Sequence, residues 1–273
     1  MTVEVLADPE PGGSWQGRQQ PVRSAPPVSM IERMTLILDA FAPATPVLTL
    51  HDLVERTGLP RSTVHRILDQ MIRLRWLAHS PGGYRLGLRA LELGGLAAGH
   101  NELRAVIGPL LHELCQRIAA VGHLGVLDGR DVVYLDKTGG RYSATVPTRI
   151  GGRLPAHSTA LGKALLASLD PGVVETSLRE QLPRLTSRTI GDRLELHREL
   201  VRIRNRQGVA VDNEEAVAGI GCVAVPVRRR GVAVAALSLS TRIGAGRPAI
   251  DTGRQARQLA ALATEAGRLL SRE

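Results

Sequence analysis

Two stretches of this 273-residue chain gather side chains that could do chemistry. The first is RSTVHRILDQMIRLRWL, beginning at Arg61. Its Val64, Ile67, Leu68, Met71 and Ile72 recur at helical spacing and predict one buried stripe. The opposite face carries Arg61, Ser62, His65, Arg66, Asp69, Gln70 and Arg73. Guanidinium groups bond guanine edges and phosphates, and small hydroxyls bond phosphates, so such a face suits the DNA major groove. Between Pro60 and Leu91 the charged residues are Arg61, Arg66, Arg73, Arg75, Arg85 and Arg89 against Asp69 alone. An ordinary solvated helix face mixes signs evenly; this one carries a single acid.

The second stretch is LPAHSTALGKALL, residues 154–166. Its LGKA looks like the end of a phosphate-binding loop built around Lys163, which with Lys137 makes up the chain's lysines. That loop needs G-x-x-x-x-G-K-[ST], and here His157 stands at the first glycine and Ala164 at the hydroxyl position. Nucleotide binding is therefore set aside. Ser158 or Thr159 can instead cap a helix, leaving N–H groups near Ala160 and Leu161 at a positive dipole end that suits a carboxylate. Asp212 closes the strand-like VAVD and is placed to accept a bond from a ligand hydroxyl, and Cys222 opens CVAVPV. Ser238 and Ser240 lie two apart in VAVAALSLS and so share one strand face. These serines could equally satisfy only local backbone groups. His157, Asp212 and Cys222 have no metal-ligand spacing, so no metal or other cofactor is expected.

The elements that position these residues follow from the pattern around them. Residues 1–28 are rich in Pro, Gly, Gln and Ser without hydrophobic period and predict a disordered tail. Ser29 caps a first helix carrying Ile31, Met34, Ile37, Leu38 and Phe41, which Pro43 and Pro46 break. Thr49 caps a short second helix that Gly58 ends, and the basic helix follows a three-residue turn. WLAHSPGGYRLG then reads as a hairpin around Ser80–Gly83. Three helices closed by a hairpin outline a winged helix-turn-helix. From Leu88 a helical pattern returns, interrupted at Gly94, Gly95 and Gly99; it resumes with Leu103, Val106 and Ile107, kinked or started near Pro109, and the interruption reads as a linker. Beyond it, HLGVLDG, DVVYLDKT, VAVDNE, CVAVPV and VAVAALSLST predict strands, mixed with helices near 158–168, 192–206 and 251–270. Such mixing without βαβ repeats predicts an α+β domain with a mainly antiparallel sheet.

GLPRSTVHRIL with GGYRLGLRALELG, then LPAHSTALGKALLA, GVAVDNEEAVAGIGCVAVPV and VAVAALSLS, together resemble the IclR family of bacterial transcription regulators over about residues 29–270. The resemblance implies a winged helix-turn-helix DNA-binding domain over 29–89 and a linker helix over 90–101. It further implies a GAF-like effector-binding and oligomerisation domain over 102–273, acting as a homodimer or a dimer of dimers. Carried over by position, Arg61, Ser62, Thr63, His65 and Arg66 would contact groove or phosphate, and Arg85 would be a wing contact. Thr159, Ala160, Leu161, Asp212, Cys222, Ser238 and Ser240 would line a pocket for a small effector, with an organic acid the natural guess. Val209 and Ala156 depart from the family's usual aromatic and larger aliphatic residue, so effector identity does not transfer.

The bulk properties agree with that reading. A formal charge of +9, nearly all of the basic count being arginine, suits an anionic partner such as nucleic acid or an acidic ligand, though a basic, arginine-biased proteome gives the same balance; the resemblance makes that partner a double-stranded DNA operator. Two scattered cysteines, Cys115 and Cys222, fit a reducing cytoplasm, and the N-terminus lacks the apolar core of a signal peptide. The most apolar stretch is half a membrane span, so no membrane partner is expected. The rival readings are a nucleoid-type DNA protein without effector control, a GAF-like sensor of another pathway, and an enzyme using Cys222 as a thiol nucleophile. No catalytic signature surrounds that cysteine, and a transcriptional regulator that is not an enzyme is the expectation.

Overall fold

The computed structural model describes residues 29–42, 44–118, 120–243 and 252–272. The tail expected over 1–28 and the helix-breaking Pro43 lie outside them. The chain divides into two units, Met1–Ala97 and Ala98–Glu273. Among the described residues no helix is long and apolar enough to cross a membrane.

The first unit is the winged helix-turn-helix that the pattern predicts. Helix α1 (Met30–Asp39) starts from a capping box in which Ser29 and Glu32 each satisfy the other's backbone N–H. It ends before Pro46 is reached. Helix α2 (Leu50–Thr57) repeats the device with Thr49 and Asp52, and Gly58 ends it at φ +67°. Helix α3 (Arg61–Arg73) buries Val64, Ile67, Leu68 and Met71, with Ile72 half-buried at the edge of the stripe. These side chains share one core with Ile37, Leu48, Leu53 and Leu77. Burial of each large aliphatic stabilises the unit by roughly 1.5–3 kcal/mol before entropy is counted. Strands β1 (Leu77–Ser80) and β2 (Gly83–Leu86) form the wing. Leu48 and Tyr84 exchange backbone bonds of 2.9 and 2.8 Å, which ties the wing to the segment before α2. At Gly83, φ is +128° and a Cβ would stand 2.5 Å from Leu48 O, so the SPGG turn needs glycine there.

Helix α4 (Leu88–Gly99) runs straight through Gly94 and Gly95, which corrects the interruption expected there. A Cβ at either glycine would meet nothing within 4 Å, so these glycines serve no close approach, and their propensity cost of about 1 kcal/mol each does not end the helix. Helix α5 (Glu102–Arg117), capped by Asn101, likewise continues through Pro109. Its buried Ile107, Leu111 and Leu114 keep it seated despite the lost backbone bond.

The second unit is built on six antiparallel strands in the order β5-β4-β3-β8-β7-β6. In chain order these are β3 (Val121–Asp128), β4 (Asp131–Thr138), β5 (Arg153–Pro155), β6 (Ala210–Asn213), β7 (Ile220–Arg229) and β8 (Val232–Arg242). One face packs on α5 and on α9 (Thr252–Leu270) through Leu111, Leu237, Leu239 and Leu259. The other packs on α6 (Ala160–Ala167) and α8 (Arg193–Asn205) through Leu161, Leu165, Leu196, Leu200 and Ala236. The sheet's alternation therefore sends Leu237 and Leu239 to the first face, and Ala236, Ser238 and Ser240 to the second. A 3-10 turn at Gly140–Thr145, the short edge strand β5 and helix α7 (Pro171–Ser177) were not legible in the sequence.

Candidate functional site

In the first unit, α3 exposes Arg61, Ser62, His65 and Arg66, while Thr63 is half-buried. No acidic residue occupies its first turn, so the free N–H groups there keep their attraction for phosphate. Asp69, the one acid on this face, lies 3.2 Å from His65 Nδ1 and is thereby held within its own helix. Among the described residues, Arg61, Arg66, Arg73 and Arg85 stand in no ion pair, and Arg85 is exposed on β2. Two arginines counted in the local excess are drawn elsewhere: Arg75 and Arg89 reach Glu92 of α4 at 3.0 and 3.5 Å. The remaining free guanidiniums lie on α3 and the wing, as a groove-reading surface requires.

In the second unit, all seven residues expected to line a pocket do line one cleft, of about 360 Å³ with its open mouth included. Thr159 is the cap of α6, with its Oγ1 accepting from Gly162 N at 2.9 Å; Ser158 instead donates to Pro155 O at 2.8 Å. Lys163 N–H bonds Thr159 O at 2.9 Å, which leaves the N–H groups of Ala160 and Leu161 for a ligand. Gly162 is there for contact: a Cβ would stand 2.1 Å from Ala156 O, so only glycine lets α6 sit on the turn before it. Lys163 is buried and paired with Glu215 Oε1 at 2.5 Å. The motif that imitates a phosphate loop is thus explained by packing and one interior ion pair.

In the same cleft, Asp212 Oδ1 accepts from Glu215 N at 2.6 Å. Burial pushes the Asp212 carboxyl up to about 7, against the lowering effect of the Glu215 N–H bond; the Glu215 carboxylate adds to the rise and Lys163 opposes it. Cys222 pairs with Asp212 across β6 and β7, and its Sγ lies 3.0 Å from Ser240 Oγ. Burial holds that thiol well above its ordinary range, so it stays protonated. Ser240 Oγ continues to His123 Nδ1 at 3.4 Å, and His123 Nε2 meets Thr148 Oγ1 at 2.7 Å. Burial lowers His123 to about 3, so it is a neutral ring that donates through one nitrogen and accepts through the other.

Sequence reasoning missed His123, Tyr134 and Thr148, which line the same cleft. The ring of Tyr134 stands edge-on to His123 with centroids 5.2 Å apart. Lys137 positions the strap that closes this side, its Nζ donating to Val146 O and Thr148 O at 2.7 Å each. His157 is not with Asp212 and Cys222: it bonds Pro183 O at 2.9 Å and lines a different cleft. Neither Val209 nor Ala156 lines the cavity, so neither departure alters its volume directly. Val209 packs with the α5–α9 side of the sheet, and Ala156 faces the cleft that holds His157.

Residues 96–268 match the family model described as bacterial transcriptional regulator IclR C-terminal, and residues 30–81 match the IclR helix-turn-helix domain. The HTH-type transcriptional regulator XynR of Escherichia coli K12 is 38% identical over 220 residues, covering 79% of this chain and 87% of that protein. The Pca regulon regulatory protein of Pseudomonas putida is 29% identical over 268 residues, covering 89% of this chain and 90% of its own. Among solved structures, an IclR homologue from Microbacterium hydrocarbonoxydans complexed with 4-hydroxybenzoate superposes with a TM-score of 0.76 at 31% identity. That match covers 90% of this chain and 100% of the other.

Proposed function

This chain belongs to the IclR family of bacterial transcriptional regulators, and from that premise we propose how it couples DNA to a small acid. Residues 29–89 read a double-stranded operator, 90–101 link, and 102–273 carry the effector site and the contacts of a homodimer or dimer of dimers. Arg61, Ser62, Thr63, His65 and Arg66 contact groove and phosphate from the start of α3, and Arg85 contacts the backbone from the wing. The effector is a compact hydroxylated organic acid, and the protein works in the cytoplasm without catalysing a reaction. One observation carries this reading: the same cavity is lined by unclaimed helix N–H groups and by a buried carboxyl.

A carboxylate at the N–H groups of Ala160 and Leu161 meets the positive end of α6, and a hydroxyl of the same ligand donates to Asp212. Ser240, Cys222 and His123 add a chain of small donors and acceptors to the lining. The Microbacterium relative's 4-hydroxybenzoate has these two groups on opposite ends of a ring, which supports the assignment of class. A protonated, buried thiol beside Ser240 is unsuited to nucleophilic attack. Ligand binding alters operator affinity only by as much as it prefers one arrangement of the protein.

The test is a pair of titrations. Footprinting on DNA flanking the protein's own gene identifies an operator, and a thermal-shift screen of hydroxylated carboxylates identifies a ligand. Asp212→Ala and Ser240→Ala should then keep operator affinity while losing the response to that ligand. Unchanged ligand affinity in both variants by calorimetry would remove the cavity from the mechanism. Binding that depends steeply on salt and is indifferent to sequence would favour a nucleoid-type protein instead.

A further inference from the structure

Behind the turn that carries Thr159, a second cleft of about 380 Å³, its mouth included, opens on the other side of Ala156 and His157. Its walls are apolar, with Leu166, Leu182 and Pro183 among them, while Arg130 and Arg179 stand at the rim. Arg130 Nε donates to Ser177 O at 2.5 Å, which fixes the guanidinium by one edge and leaves its terminal nitrogens for a ligand. Among the described residues Arg179 stands in no ion pair. The one acid in the wall, Asp131, is already engaged by Arg153 at 3.3 Å. His157 is 4% exposed, and its Nε2–H donates to Pro183 O at 2.9 Å, so its Nδ1 is an acceptor. The cleft therefore combines an apolar interior, two available cations and one acceptor.

We infer that this cleft is a second ligand site, taking a small carboxylate with an apolar body, separate from the cavity at Asp212 and Ser240. The carboxylate lies between the guanidiniums of Arg130 and Arg179, where charge-assisted and bidentate bonds are available. The apolar body lies against Leu166, Leu182 and the prolines, from which water is displaced. Bare phosphate would leave that interior unused, and so would an uncharged aromatic leave the arginines.

Titration of the full chain with 4-fluorobenzoate, followed by 19F NMR, tests this directly. The parent should show saturable binding at millimolar ligand that survives Ser240→Ala, because that substitution touches only the other cavity. Arg179→Gln should weaken this binding several-fold, and Arg130→Gln with Arg179→Gln about ten-fold or more, since each removes a charge-assisted bond. Both arginines are exposed, so the single Arg179→Gln variant keeps the test valid if the double variant melts early. No binding by the parent would overturn the inference, and so would equal binding by the parent and Arg179→Gln. Loss of all binding in Ser240→Ala would assign the ligand to the inner cavity alone. Competition by inorganic phosphate as strong as by unlabelled benzoate would overturn the apolar-carboxylate class. Failure of the arginine variants to weaken binding leaves the operator and effector titrations above unaffected, because those rest on operator affinity and on Asp212→Ala, which touch neither Arg130 nor Arg179.

Discussion

Replacing Lys163 by Met should destabilise the protein by an amount that depends on pH in a calculable way. Lys163 Nζ and Glu215 Oε1 are 2.5 Å apart in the interior, and Glu215 Oε2 has no hydrogen-bond partner. Methionine keeps most of the stem's volume and removes the charge, so Glu215 must either stay ionised alone or take up a proton. The first course costs several kcal/mol for a buried carboxylate. The second is limited by solution chemistry: from an ordinary value of 4.5, protonation at pH 7 costs about 3.4 kcal/mol. The folded variant follows the cheaper course, so the penalty against the parent at neutral pH is at most about 3.4 kcal/mol plus a lost hydrogen bond. At pH 5 the protonation cost falls to about 0.7 kcal/mol. The sign follows from linkage. A carboxyl raised in the folded state loses stability as pH climbs above its unfolded value and regains it as pH falls. Urea unfolding followed by circular dichroism, at pH 5, 6 and 7 and fixed protein concentration, reads the difference. Lys163→Met with Glu215→Leu should recover most of the loss, because no unpaired charge remains. An equal penalty at pH 5 and 7, or a double variant as unstable as the single one, would refute the reasoning.

Three further outcomes are expected. Arg66→Ala should weaken operator binding by about 1–3 kcal/mol if the guanidinium is bidentate to a base; fluorescence anisotropy that gives the same loss on unrelated DNA would reassign it to phosphate. Effector affinity should fall as pH drops below about 7, since a ligand hydroxyl needs the ionised form of Asp212, which burial holds near that value. Asp212→Asn should flatten this dependence in calorimetry, and a slope equal to the parent's would dissociate Asp212 from the ligand. Gly162→Ala drives a methyl to 2.1 Å from Ala156 O and should cost about 1–3 kcal/mol, as overpacking does. An unchanged melting temperature would mean that the turn yields freely.

What could be read ahead of the structure was whatever a single element decides for itself. The stripe of α3 and its basic opposite face belong to one helix, so periodicity exposes both. The caps at Ser29 and Thr49 are local chemistry over three residues and appear where the residue types place them, and of the two candidates Ser158 and Thr159 it is Thr159 that caps α6. Gly94 and Gly95 misled because propensity is a weak force beside the packing of neighbouring turns. The cavity divides along the same line. Ser238 and Ser240 were visible because two residues along one strand share a face. His123 was not, because its role depends on β3 lying against β8, with His123 opposite Ser238 and in reach of Ser240. Thr148 depends on Lys137 drawing in a strap eleven residues away. Register and long-range tethering are products of the whole sheet. The polar chain from Asp212 through Cys222, Ser240 and His123 to Thr148 therefore becomes legible only when the strands are side by side. A residue type that signals this in advance is a histidine in an otherwise apolar strand, which must find polar partners when the strand is buried.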